Sequence, residues 1–205
     1  MRFYLSSSKL GEKAPLLAEL YGNDRPVAYI ANALDHAADK GWLEAWIADE
    51  IQELNDAGLR AEHVDLRDFF QKGTDFRDVA AKYSGVWMSG GNVFVLRQAM
   101  TLSGLDAFIL ENQKSDNFTY GGYSAACCVL SPSLKAFAIA DDPSVLPYPE
   151  ITEMIWDGLG ILDFAFMPHY QPEHPDWALF QKEVAICSAN NMPYRTFRDG
   201  EVIVL

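Results

Sequence analysis

Phe118-Thr119-Tyr120-Gly121-Gly122-Tyr123-Ser124-Ala125-Ala126-Cys127 is the stretch that decides how this chain folds. A β-prone run, Phe118 to Tyr120, meets two glycines, then a serine between small residues, then an apolar segment able to start a helix. That layout is a nucleophile elbow, a sharp strand-to-helix turn that lifts a serine hydroxyl above a sheet edge. Gly122, two residues before Ser124, lets neighbouring backbone come close. Ala126, two residues after it, stands where the G-x-S-x-G pattern has a second glycine. On its own such a stretch is equally compatible with close helix–strand packing.

Outward from the elbow the chain alternates strand and helix. Strands are expected at Arg2–Ser6, Pro26–Ala31, Glu62–Leu66 and Gly85–Ser89, with helices at 14–21, 40–57, 76–82, 93–100, 105–112 and 176–189. In the long helix Trp42, Trp46, Ile47, Ile51 and Leu54 recur at helical spacing and read as a core stripe. Tyr194–Phe197 and Glu201–Leu205, either side of Asp199-Gly200, read as a closing hairpin. The alternation predicts an α/β fold: a mostly parallel, doubly wound sheet with helices on both faces, flavodoxin-like or class I glutamine amidotransferase-like. No repeat or composition break divides the chain, so residues 1–205 are expected to form a single domain.

A serine needs a base to take its proton and donors for the oxyanion that forms. Of the four histidines, His169 follows the apolar run Phe164-Ala165-Phe166-Met167-Pro168 and lies at a strand end. Sites in open α/β sheets gather beyond the carboxyl ends of strands. His63 falls in an alternating strand, His36 and His174 in polar segments. A further strand, Val86-Trp87-Met88-Ser89, ends in Gly90-Gly91-Asn92 before a helix, a turn whose N–H groups can meet negative charge. Gly91 and Ala125 are the expected oxyanion donors, and Gly90 and Asn92 are placed beside substrate. No phosphate-binding loop is present.

These motifs, in this order, resemble peptidase E, the aspartyl dipeptidase family of serine peptidases, which is related to cyanophycinase. The matching segments are Gly90-Gly91-Asn92-Val93-Phe94, Gly122-Tyr123-Ser124-Ala125-Ala126-Cys127 and Pro168-His169-Tyr170, with Asp157 to Phe164 like the family's lead-in to the histidine. The resemblance implies hydrolysis of dipeptides or short peptides, N-terminal aspartyl dipeptides among them, without cofactor or metal. It also implies an orienting acid. The loop Ala140-Asp141-Asp142-Pro143 supplies Asp141, with Asp142 second, although adjacent aspartates beside a proline also form caps and turns. The family's late Pro-Glu-Gly segment is here Met192-Pro193-Tyr194, which puts Tyr194 at the glutamate position. The arginine expected to hold an aspartyl carboxylate is missing from Glu173–Lys182, leaving Lys182 or Arg195 as substitutes.

With 205 residues, 49% apolar and 22% charged, the chain can bury a sizeable core. Its net charge of −13 argues against nucleic acid or anionic lipid as partner. Three cysteines without metal-ligand spacing fit a reducing cytoplasm, and no apolar run is long enough to span a membrane. A monomer or homodimer acting on a short peptide is the expected form. Two other readings stay open: a catalytically weak relative that binds small molecules or peptides, and a cysteine-dependent protein using Cys127 or Cys128.

Overall fold

The computed structural model describes residues 1–205 except Asn23 and Lys72. Its main sheet is built from β1 (Arg2–Ser6), β2 (Val27–Ile30), β3 (Ala61–His63), β4 (Gly85–Met88), β5 (Thr119–Tyr123) and β8 (Val202–Val204). These six strands lie in the order β3-β2-β4-β5-β1-β8. All neighbours are parallel except β8, which closes the sheet antiparallel to β1. The expected fold class is the one observed.

Side chains alternate across each central strand. Phe3, Leu5, Ala28, Ile30, Val86, Met88 and Tyr120 enter one core with helices α3 (Val93–Ser103), α4 (Leu105–Asn112) and α5 (Ala125–Cys128). Tyr4, Val27, Tyr29 and Trp87 enter a second core with α1 (Leu17–Tyr21) and α2 (Lys40–Asp56). Burial on both faces is why β1, β2, β4 and β5 are so apolar and take parallel partners. Asp39 caps α2, accepting from Trp42 N–H at 3.0 Å. Among the described residues no single helix is long and apolar enough to cross a membrane; α3 and α4 are bent by 82° and contribute to the core.

Strand register sets the position of the site. Ser6 pairs with Tyr123 and Met88 with Gly122, so β1, β4 and β5 end level with one another. The residues just past these three ends, Ser7, 89–92 and Ser124, therefore meet at one sheet edge. A second, two-stranded parallel sheet joins β6 (Ala165–Met167) to β7 (Tyr194–Thr196), with α6 (Trp177–Ala189) between them in sequence.

Several expectations are corrected. The closing hairpin does not form: β7 pairs with β6 and β8 with β1. The turn at Asp199-Gly200 is real, with Glu201 N–H donating to Arg198 O at 3.0 Å. It carries the chain from one sheet to the other, since the Phe197 ring stacks on Phe166 at 4.1 Å and holds β7 to β6. Residues 76–82 form two short 3-10 turns instead of a helix, and β3 stops at His63. Trp42 is 45% exposed and stacks on Trp46, so the α2 core stripe is confined to its Leu54 side.

Candidate active site

Ser124 follows β5 directly with φ 52° and ψ −111°, a positive-φ conformation that costs a non-glycine residue about 1–3 kcal/mol. The neighbouring backbone holds it there: its N–H donates to Ser6 O at 3.2 Å, and its carbonyl accepts from Cys127 N–H at 2.8 Å and Cys128 N–H at 2.9 Å. A methyl on Gly122 would lie 2.5 Å from Met88 O and 2.6 Å from the Ala126 methyl. The elbow therefore has room for one methyl between these positions, and Ala126 supplies it.

His169 follows β6 and also has positive φ, 57°. Its N–H donates to the Ser7 hydroxyl at 2.8 Å, and the Ser7 hydroxyl donates to Phe197 O at 3.3 Å. Its ring lies between two partners: Nε2 is 3.0 Å from Ser124 Oγ, and Nδ1 is 2.6 Å from Asp199 Oδ1. The other Asp199 oxygen accepts from Gln171 Nε2 at 3.0 Å, and Asp199 N–H donates to Gln171 Oε1 at 3.2 Å. Burial pushes the His169 pKa below the usual imidazole value, while the Asp199 carboxylate partly restores it. A proton on Nδ1 would face the Asp199 carboxylate and leave Nε2 to accept from the Ser124 hydroxyl. The rings of His174 and Phe180 lie 5.2 and 5.8 Å from that of His169.

The structure brings Asp199, and not Asp141, to the His169 ring. Asp141 does not meet His169; its Oδ2 accepts from Val93 N–H at 2.8 Å, satisfying one of the unpaired donors that begin α3. Asp142 is exposed and closes a local turn on Ser144 N–H and Oγ at 2.8 and 2.7 Å. The Tyr194 hydroxyl is 3.4 Å from that of Ser188 on α6, not at the histidine. Asp199 escapes sequence reasoning because Asp-Gly reads as a turn. Gln171, Ser7 and His174, which complete the surroundings of the histidine, carry no motif signal at all.

The glycine turn lies at its expected place. A Cβ on Gly90 would come 2.7 Å from the Tyr123 ring and 3.3 Å from Ser124 Cβ, which places the turn against the elbow. Gly91 has φ 138°, and a Cβ there would meet Ala33 O at 2.6 Å. Among the described residues neither Gly91 N–H nor Ala125 N–H has an acceptor within the chain. Asn92 is occupied in structure: its Oδ1 caps α3 through Phe94 and Val95 N–H, and its amide donates to Asp142 O at 3.0 Å.

A cavity of about 40 Å³ adjoins Ser124 and His169 and is closed by Ala140, Asp141, Phe180 and Glu183. Among the described residues no arginine or lysine lines it: Lys182 is exposed, and the Arg195 guanidinium lies 4.1 Å over the Phe164 ring. The cysteines are buried and free, with both elbow-side thiols pushed far up by desolvation. His169, His174 and Asp199 bring one ligand atom each within 4.8 Å of one another, but a cation there would compete with the hydrogen bonds of His169.

The profile of peptidase family S51 matches residues 3–204. Among curated relatives, an uncharacterized peptidase of Listeria monocytogenes is 26% identical over 172 residues, covering 83% of this chain and 78% of its own. One from Listeria innocua is 32% identical over 85 residues, 42% of this chain and 38% of its own. A peptidase E candidate from Listeria monocytogenes EGD-e superposes with a TM-score of 0.71 at 22% identity, covering 100% of this chain and 97% of that one. A peptidase from an acI-B1 actinobacterium gives 0.68 at 19%, covering 100% and 82%. Both structures share the fold.

Proposed function

Since the chain belongs to peptidase family S51 and is a peptidase, we propose that it cleaves dipeptides or short peptides through Ser124, with His169 as base and Asp199 orienting the histidine. The observation that carries this reading is the chain of hydrogen bonds from Ser124 Oγ through the His169 ring to Asp199, 3.0 and 2.6 Å long, starting from a serine in a strained turn. Ser124 Oγ attacks the peptide carbonyl carbon as its proton passes to His169 Nε2. The oxyanion rests on Gly91 and Ala125 N–H, donors that folding leaves without partners. The C–N bond then breaks and the leaving amine takes the proton from Nε2. Water, deprotonated by the same nitrogen, releases the acyl group from Ser124.

The proposal takes residues 1–205 as one domain working in a reducing cytoplasm. The assembled Ser-His-Asp geometry favours an enzyme over a binding-only relative. The buried, protonated cysteines disfavour thiol chemistry. An aspartyl preference finds no cationic side chain among the described residues of the cavity to support it. The test is labelling with a fluorophosphonate followed by peptide mapping. Modification of Ser124 in the wild type, lost in Ser124→Ala and strongly slowed in His169→Ala, is the expected result. Labelling elsewhere, or none, would overturn the assignment.

A further inference from the structure

We infer that His169, His174 and Asp199 form a site for one divalent cation of the zinc type, and that a cation seated there switches the Ser124 centre off. The inference names a regulation of the proposed serine centre and rests on that reading. Each of the three side chains brings one ligand atom within 4.8 Å of the other two. Two imidazoles and a carboxylate are a donor set for zinc, with a fourth position left to water. Imidazole nitrogen favours zinc and its transition-metal neighbours over magnesium and calcium, which take oxygen donors.

The surroundings of the three ligands suit a cation. Gln171 Nε2 holds Asp199 Oδ2 at 3.0 Å and leaves Oδ1 turned to the histidine, the kind of outer support that steadies a metal ligand. His174 Nδ1 accepts from Asp176 N–H at 3.1 Å, and its Nε2 has no hydrogen-bond partner among the described residues. The Asp176 carboxylate stands 4.0 Å from that Nδ1, on the side where a proton goes when Nε2 takes a metal. Arg198, next to Asp199 in sequence, turns its guanidinium to Glu173 at 3.3 Å. All three ligands are partly exposed, so an ion reaches them from solvent, and the net charge of −13 draws cations in. Inhibition follows from the two nitrogens of one ring. An ion on Nδ1 displaces the Asp199 hydrogen bond and leaves the single ring proton on Nε2, which then donates to Ser124 Oγ instead of accepting from it. An ion on Nε2 uses up the lone pair that takes the serine proton. In both cases Ser124 has lost its base.

The test titrates the intact protein with Zn²⁺ by calorimetry and follows fluorophosphonate labelling of Ser124 at each zinc concentration. One ion per chain is expected, with labelling slowed at least ~10-fold at saturation, as befits loss of a general base, and restored by EDTA. His174→Ala, and separately Asp199→Asn, should weaken zinc binding about tenfold or more, whatever their own labelling rates. His63→Ala, on β3, should bind as the wild type does. Ser124→Ala should still take up the ion, which separates binding from chemistry. Zinc that leaves labelling untouched or speeds it would overturn the inference and leave the catalytic reading intact. So would absence of binding, or binding retained in both ligand variants. A zinc-free wild type that never labels would overturn the serine reading instead, while calorimetry on the two ligand variants still decides the cation site.

Discussion

Glu50 and Glu183 are equally hidden, 2% and 3% exposed, and each lies close to the elbow, yet their surroundings are opposite. Glu50, on α2, accepts from the Tyr29 hydroxyl at 2.8 Å, from the Tyr123 hydroxyl and from Lys9 Nζ at 2.8 Å. Lys9 in turn lies 4.1 Å over the Trp46 ring. Glu183 has one long backbone bond and a second carboxyl, Asp141, for a neighbour. A buried acid surrounded by donors fixes Tyr123, the residue before Ser124. A buried acid without them has its pKa pushed up by burial and by the neighbouring carboxyl. The same residue type at the same depth is a hydrogen-bonded scaffold on one side and a proton-holding group on the other.

The largest effect should come from neither acid. Asp199→Asn is expected to lower kcat about 10⁴-fold, because the amide favours the wrong imidazole tautomer and cannot offset the imidazolium charge. Steady-state rates on the same peptide should show Glu50→Gln and Asp141→Asn far less affected. A loss at Asp141 as deep as at Asp199 would return Asp141 to the chemistry. Next in size, Glu50→Ala should destabilise the fold by about 3 kcal/mol, as expected when buried donors lose a charged acceptor. Urea unfolding measures this, and a cost under about 1 kcal/mol would remove the contrast.

Glu183→Gln should act with the opposite sign. The folded-state pKa of about 8 exceeds the ordinary 4.5, so the folded protein holds a proton that the unfolded chain gives up between those values. The stability this proton contributes is full below pH 4.5 and is lost as pH rises through about 8. The glutamine variant should therefore melt above the wild type at pH 8, the difference vanishing by pH 4.5. A variant that melts lower at pH 8 would mean that Glu183 is satisfied as Glu50 is. The smallest effect belongs to Asp142, exposed beside Asp141: its asparagine variant should stay within about 0.5 kcal/mol in thermal unfolding.

The elbow, the glycine turn and the histidine strand are legible because each couples an apolar strand to residues that strands do not otherwise tolerate, Gly121-Gly122, Gly90-Gly91 and Pro168. Backbone demands of that kind are local and leave a mark in sequence. Asp199 leaves none, since its encounter with His169 depends on parallel pairing of β7 with β6, thirty residues from the histidine. Glu183 sits in Gln181-Lys182-Glu183, a polar run typical of a solvated helix face. Only the packing of α6 against residues 135–140 buries it. Asp141 stands near the site, as its loop implies, but the donors opening α3 claim it first.

The antiparallel edge strand ties the site to pairing between distant segments. Ser124 and His169 meet Asp199 in the turn that precedes β8, and β8 docks on β1, more than 190 residues earlier in sequence. The three side chains therefore share one spot only because β1, β5, β6 and β8 are all in place, so loosening a strand far from Ser124 moves a group that touches His169.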